Sequence, residues 1–427
     1  MPVSRGRKRK PDRSRGPGHR RSDPRKVPRL LMRSLADPGL NSPLHAEVEL
    51  SYALGAAYRV SEAGHRADIE EQLARQLLEE AQVSTSPGAR ELLAVLASIG
   101  PDAVAAEAMQ ALTSADQDDS SQRSWLADVG RWECTEALHM SDEDGDVEEW
   151  AAFFALPDGT ERHGMVWLVD MTASTWAADA FLVVGHDEVV AHMREDAERE
   201  GLSLEPVDPG LLHRMVRDAM RLTDMSDPAP ESETYSEFHA LARGRLRCLP
   251  PPAELPERLD EQGREALVAD FVASTYGQGL LSPADGEEAP EEDSVRFLAR
   301  LLVDHAVDVT GGEPLRVTPA TVETFMLDWV PRKVLLEPDD AGRLPEVTRA
   351  WVRYAYAVTG RPDERREATL AAVTTYTPEF GRMVASGEGR GLGAQLLAGF
   401  MDQGVDITDP DALAAAVERY NASLGDR

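Results

Sequence analysis

Apolar residues fall into two regimes along this chain. Between Val147 and Val190 they form short, nearly continuous runs, and elsewhere they recur at helical spacing. The first run, Glu148 to Leu156, carries Trp150, Phe153 and Phe154 and stops at Pro157-Asp158-Gly159-Thr160. Aspartate before glycine tolerates and then supplies positive φ, which predicts a hairpin. Met165 to Val169 returns, and Ala180 to Val184 makes a third run. Three β-rich runs bounded by turn residues predict an antiparallel meander. Because the runs are almost unbrokenly apolar, both faces should be covered, with the amphipathic segment Asp187 to Arg199 as the first cover.

The flanks read as helix. Val48, Leu50, Leu54 and Tyr58, then Leu73, Leu77 and Leu78, then Leu92, Leu93, Leu96 and Ile99 mark successive apolar faces, and a fourth helix covers Ala103 to Leu112. Two more helices, Pro206 to Met225 and Tyr235 to Leu246, follow the meander. After Pro250-Pro251-Pro252, which forces extended backbone, helices recur with proline punctuation. Thr318-Pro319 opens one that should end near Trp329, because Val330 precedes Pro331; Leu344-Pro345 opens the next, and Asp409-Pro410 the last. The expected fold is mainly α with a small central antiparallel β-meander, an α+β, multi-domain protein. Its expected parts are a disordered basic arm (1–34), a helical domain (35–115), an α+β domain (116–249) and a helical domain (250–427).

Charge sharpens this division. Residues 1–33 hold 13 of the 45 basic residues and two of the 76 acidic ones, a net of +11; the remaining 394 hold 32 and 74, a net of −42. The first stretch has almost nothing apolar to bury, so disorder is expected there. Arg5, Arg7, Lys8, Arg9, Lys10, Arg20 and Arg21 are its candidate phosphate contacts; without an aromatic residue the arm offers no base stacking. The plainer alternatives are a solubilising extension or a tail laid on the acidic body. No run of eighteen apolar residues occurs, and no signal-peptide core follows the basic start, so a cytoplasmic protein without a membrane contact is expected. Cys134 and Cys248 lack any CxxC pairing and read as reduced thiols. Lysine occurs only four times, which suits a GC-rich bacterial genome.

Candidate chemistry is sparse. His163, Asp170 and Asp179, with His186 nearby, fall at or near predicted strand ends, which makes them candidates for an acid/base pair or a shared metal. Strand-end residues are also polar by default. Arg214, Arg217 and Arg221 recur on one helix face, with Arg243, Arg245 and Arg247 downstream, as a candidate anion site; pairing with the surplus carboxylates is the competing role. Asp142, Asp144 and Asp146 imitate a calcium loop, but Val147 and Phe153 stand where glycine and glutamate are needed, so Ser141 to Asp146 reads as a solvated turn. The glycines at 387, 389, 391 and 393 follow no strand and precede no lysine, which makes them a helix–helix connection. Neither a metal site nor a cofactor is implied, and no HExxH, SxxK or GxSxG signature is found.

Asp158 to His163, Val166 to Asp170 and Ala178 to Phe181, together with Phe325 to Val334, resemble blocks that recur in a group of uncharacterised actinobacterial proteins without an assigned activity. The resemblance implies a bacterial, cytosolic origin. Members of that group carry His-Asn after the aspartate, where this chain has Met171-Thr172. The leading expectation is a non-enzymatic binding or regulatory protein, tethered to nucleic acid by its arginine-rich arm. A metal-dependent or acid/base hydrolase using His163, Asp170 and Asp179, and a helical scaffold for a protein partner, are the alternatives.

Overall fold

The hairpin residues do what their chemistry requires. In the computed structural model, Gly159 takes a φ of 71° and its N–H donates to the Leu156 carbonyl at 2.8 Å. The Asp158 carboxylate accepts from the backbone N–H and the hydroxyl of Thr160. The structure describes residues 26–61, 65–114, 124–172, 175–226, 232–282, 290–310, 312–406 and 409–425.

The first helices are α1 (Val27–Leu35), α2 (Pro43–Arg59), α3 (Arg66–Val83), α4 (Ala89–Ile99) and α5 (Asp102–Ser114). Strands β1 (Glu133–Ser141), β2 (Val147–Ala155), β3 (Arg162–Asp170) and β4 (Trp176–Val183) follow, then α6 (His186–Glu200), β5 (Ser203–Pro206), α7 (Pro209–Met225) and α8 (Glu233–Leu246). The sheet is antiparallel throughout, in the order β4-β3-β2-β1-β5. The meander of β2, β3 and β4 is the expected one, extended on one side by β1 and the short β5. The fold is mainly α with a small antiparallel sheet, an α+β arrangement.

Strand alternation divides the sheet residues between two cores. Trp150, Ala152 and Phe154 of β2 and Met165, Trp167 and Val169 of β3 join α1 to α5, α7 and α8 in one cluster that runs from Leu31 to Leu249. The opposite face, with Ala151, Phe153 and Val166, meets Val190 and Met193 of α6, the cover that the amphipathic pattern predicts. Segments 35–115 and 116–249 therefore share a core.

The arm is shorter than its composition suggests. Residues 1–25 lie outside the described residues, but Val27 to Leu35 form α1, with Leu31, Met32 and Leu35 buried. Three apolar residues on one face of a nine-residue helix are enough to dock it on α2 and α4.

A third core belongs to the C-terminal helices: α9 (Glu261–Ala273), α10 (Thr275–Leu280), α11 (Glu292–Asp308), α12 (Pro319–Glu323), α13 (Val330–Lys333), α14 (Pro338–Thr359) and α15 (Asp363–Ser386). Helices α16 (Leu392–Asp402) and α17 (Pro410–Gly425) end the chain. Proline punctuation misleads twice here. The rod opened by Thr318 does not stop at Trp329: residues 324–329 form a π turn, and α13 continues through Pro331. A π turn shifts the hydrogen-bond register, so a proline just beyond it displaces no regular rung. Likewise α14 begins at Pro338 and carries Pro345 inside it.

The acidic turn between β1 and β2 is not solvated. Asp144 is 6% exposed. Arg361 Nη2 donates to its carboxylate at 2.6 Å, and Arg365 Nη1 at 3.2 Å. Arg316 Nη1 donates to the carbonyls of Asp144 and Gly145 and to the Asp146 carboxylate, while its Nη2 reaches Met171. Three guanidiniums from the C-terminal helical part thus grip one turn of the sheet.

Helix α8 crosses α2 at a point where no side chain fits. A Cβ on Gly55 would overlap the Ser236 carbonyl. Gly55→Ala is expected to destabilise the protein by about 2 kcal/mol or more, as overpacking does, measured as a lower denaturant midpoint. A midpoint equal to that of the parent protein would show that the two helices separate freely.

Candidate functional site

Helix α8 places three arginines and a histidine against the N-terminal helices. At its C-terminal end Arg245 is fully buried and donates through Nε to His163 Nε2 at 2.6 Å. Its Nη2 donates to the Glu47 carboxylate of α2. Glu47 also accepts from Ser98 Oγ at 2.5 Å and from Trp132 Nε1 at 3.0 Å. The Trp132 ring lies 4.8 Å from the guanidinium, a cation–π contact. Burial, then the charge of Arg245, hold His163 well below the usual imidazole range, so it stays neutral and accepts.

Two turns earlier a second network spans four helices. His239 lies between two carboxylates, Nδ1 at 2.9 Å from Glu70 of α3 and Nε2 at 3.1 Å from Asp224 of α7. Arg243 grips Glu70 through both Nη atoms, at 2.8 and 3.2 Å. Tyr58 of α2 donates to Asp224 at 2.7 Å and stacks on the imidazole. Burial opposes a charge on His239, but Asp224 and Glu70 overcome it and raise the imidazole to about 9. Burial likewise works against ionised Glu70, yet Arg243 and His239 hold it well below the usual carboxylate range. The result is an alternating chain of carboxylate, imidazolium, carboxylate and guanidinium.

The candidates named from the strands do not converge. His163 is the second residue of β3 and Asp170 its last, seven residues and roughly 23 Å away. Asp170 folds back on its own loop, accepting from the N–H and hydroxyl of Thr172. Asp179 pairs with Leu168 across the sheet, and its carboxylate accepts from Ser232 and Thr234 at the start of α8. His186 is held separately by Glu136 and Asp187. Among the described residues, no group of three His, Cys, Asp or Glu side chains is placed to hold a metal ion.

The six candidate anion-binding arginines are not one cluster either. Arg214 and Arg217 pair with Asp218, Arg243 with Glu70, Arg245 with Glu47 and Arg247 with Asp102; Arg221 is exposed. The competing role, internal neutralisation, accounts for five of them.

Arg5, Arg7, Lys8, Arg9, Lys10, Arg20 and Arg21 lie outside the described residues. The stretch that follows them is described, and it carries a feature not picked out from the sequence. Lys26, Arg29 and Arg33 recur at i, i+3 and i+7 along α1 and its cap, all exposed and without an ion pair among the described residues. Leu31, Met32 and Leu35 hold the other side of the same helix on the body. A helical reading of the apolar triplet would have found this stripe.

No family model, curated protein or solved structure matches the chain.

Two pH responses follow from the networks. The raised imidazole of His239 stabilises the fold fully below about pH 6.5, and that contribution is lost as pH rises through 9. His239→Gln should therefore cost about 3 kcal/mol near pH 6, and less towards pH 10, in paired denaturant titrations. A gap that does not change with pH would mean an uncharged imidazole. Asp146 behaves in the opposite sense to an ordinary salt-bridged carboxylate: burial lifts it to about 6 against the pull of Thr318 and Arg316. Burial penalises its charged form, so stability falls as pH rises through 6. Asp146→Asn should match the parent protein near pH 4 and exceed it by about 1–3 kcal/mol at pH 7.5, and a less stable variant at pH 7.5 would reverse this assignment.

Proposed function

We propose that this is a non-enzymatic binding protein that holds nucleic acid, or another phosphate polymer, through its basic N-terminal segment. The observation that supports the reading most is the exposed stripe of Lys26, Arg29 and Arg33 along α1 and its cap, which has no ion pair among the described residues. In a body with 74 acidic residues after position 33, this lysine and two arginines stand where the +11 segment joins the fold. A polyanion bound to the segment would run onto this stripe, and release of its counterions would drive the association. The dispersed strand-end residues and the ion-paired α8 arginines add nothing to a catalytic reading. A cytoplasmic location goes with the proposal.

The test is fluorescence anisotropy of labelled duplex DNA and of RNA across a salt series. Removing residues 1–25 leaves the anchoring face of α1 in place, which removal of 1–33 does not. That truncation should abolish most of the affinity. The variant with Lys26, Arg29 and Arg33 all changed to Gln should weaken binding uniformly across sequences and lower the salt slope on duplex DNA by about 2–3. Unchanged affinity and slope in the truncated protein would refute the proposal.

A further inference from the structure

A groove between α10, α14 and α15 encloses about 590 Å³. That is within the size range of small-ligand sites, roughly 300–1,000 Å³. Its origin can be read from the residues. Pro345 sits inside α14 and Pro378 inside α15, so each helix lacks one rung of its ladder beside the groove. Gly279 of α10 and Gly342 of α14 contribute no side chains, and a Cβ added at either would meet open space. The walls are apolar and aromatic, from Tyr276, Leu280, Pro345 and Ala350.

Into this groove α14 brings Arg349 and Arg353, one helical turn apart. Their Cβ atoms are about 5–6 Å apart at that spacing. Neither makes an ion pair or a side-chain hydrogen bond among the described residues. Arginines elsewhere on the same helical assembly do find carboxylates: Arg264 takes Asp304 and Asp308, and Arg300 takes Glu261, Glu265 and Asp304. The groove also holds one carboxylate, Glu346, which has no ion pair either.

We propose that this groove binds a small amphipathic anion: a carboxylate or phosphate group held by the forks of Arg349 and Arg353, with an apolar body against Leu280, Pro345 and Tyr276. Two guanidiniums on adjacent turns can close on one oxyanion from two sides. The site is separate from the N-terminal basic segment and does not rest on its role.

Octanoate and phenyl phosphate are the probes, read by ligand-observed NMR and isothermal titration on the full chain, with 1-octanol as the uncharged comparator. Binding of octanoate alone assigns a carboxylate, of phenyl phosphate alone a phosphate, and of both a general oxyanion site. The expected affinity is about 1 mM or tighter for at least one anion. Arg349→Gln with Arg353→Gln should weaken it at least about tenfold. Gly342→Leu should block it sterically with both charges kept. Arg332→Gln, which removes an exposed arginine paired with Asp328, should leave it unchanged. Because Arg349 and Arg353 make no ion pair or side-chain hydrogen bond among the described residues, their double variant should melt like the parent, so weaker binding is not read from a misfolded chain. The proposal is overturned if neither anion binds below about 10 mM, if the double variant binds as the parent does, or if octanol binds as tightly as octanoate.

Discussion

Glu47 and Arg245 meet as an ion pair at positions without solvent exposure. Desolvating each costs several kcal/mol, and an apolar pair of equal volume would serve net stability as well. What the pair penalises is every arrangement that leaves one partner alone, by about 3–5 kcal/mol. Arg245 can reach Glu47 only if α8 lies across α2 in one register. It can reach His163 only if the same helix lies over the start of β3. Gly55 and Gly244 permit that approach, because side chains there would meet Ser236 and Ile99. Position is therefore set twice, by the charges that must meet and by the side chains that are missing.

The same logic operates at the other end of the molecule. Arg316, Arg361 and Arg365 engage a turn that presents Glu143, Asp144 and Asp146 within four residues. Arg316 also takes two backbone carbonyls of the turn, those of Asp144 and Gly145, so the turn is recognised by its shape as well as its charge. A body with so large an acidic surplus gains from burying guanidiniums where carboxylates converge, since each contact removes repulsion as well as adding attraction. Arginine suits this use better than lysine, because its planar fork meets several acceptors at once. Lys26 and Lys333, the lysines among the described residues, take no part in these networks.

The meander was legible because it depends on local signals: Asp158-Gly159 at the turn, and apolar runs too short for helices. Strand β1 was not, because Glu133 to Ser141 mixes charged, polar and apolar residues. It earns its place by pairing with β2 and β5, a long-range gain that no window of sequence displays. Prolines at 331 and 345 were read as boundaries, yet a π turn and the packing of α14 carry the helices past them. The buried networks were hidden for a related reason. Glu47, Glu70 and His239 are ordinary helical residues until α2, α3 and α8 bring them together, whereas His163 and Asp170 drew notice merely by ending strands. His239 and Arg243, at i and i+4, were a visible pair, but their partner Glu70 stands 169 residues before the histidine.

Segregating the charge has a consequence for how a polyanion would approach. At physiological salt, fields fade over about 8 Å, so the acidic body repels a phosphate backbone only near contact. The basic stripe on α1 lies at the surface of that body, and the sequence that precedes it is itself strongly basic. A bound polymer would be attracted at the segment and repelled by the rest of the molecule, which restricts the contact to one end. Had the same positive residues been dispersed, they would have joined the pairs seen around α8 and α11, and their field would have been cancelled locally. Anchoring α1 by Leu31, Met32 and Leu35 keeps the stripe from folding back onto carboxylates, because the helix that carries it cannot roll without exposing its apolar side.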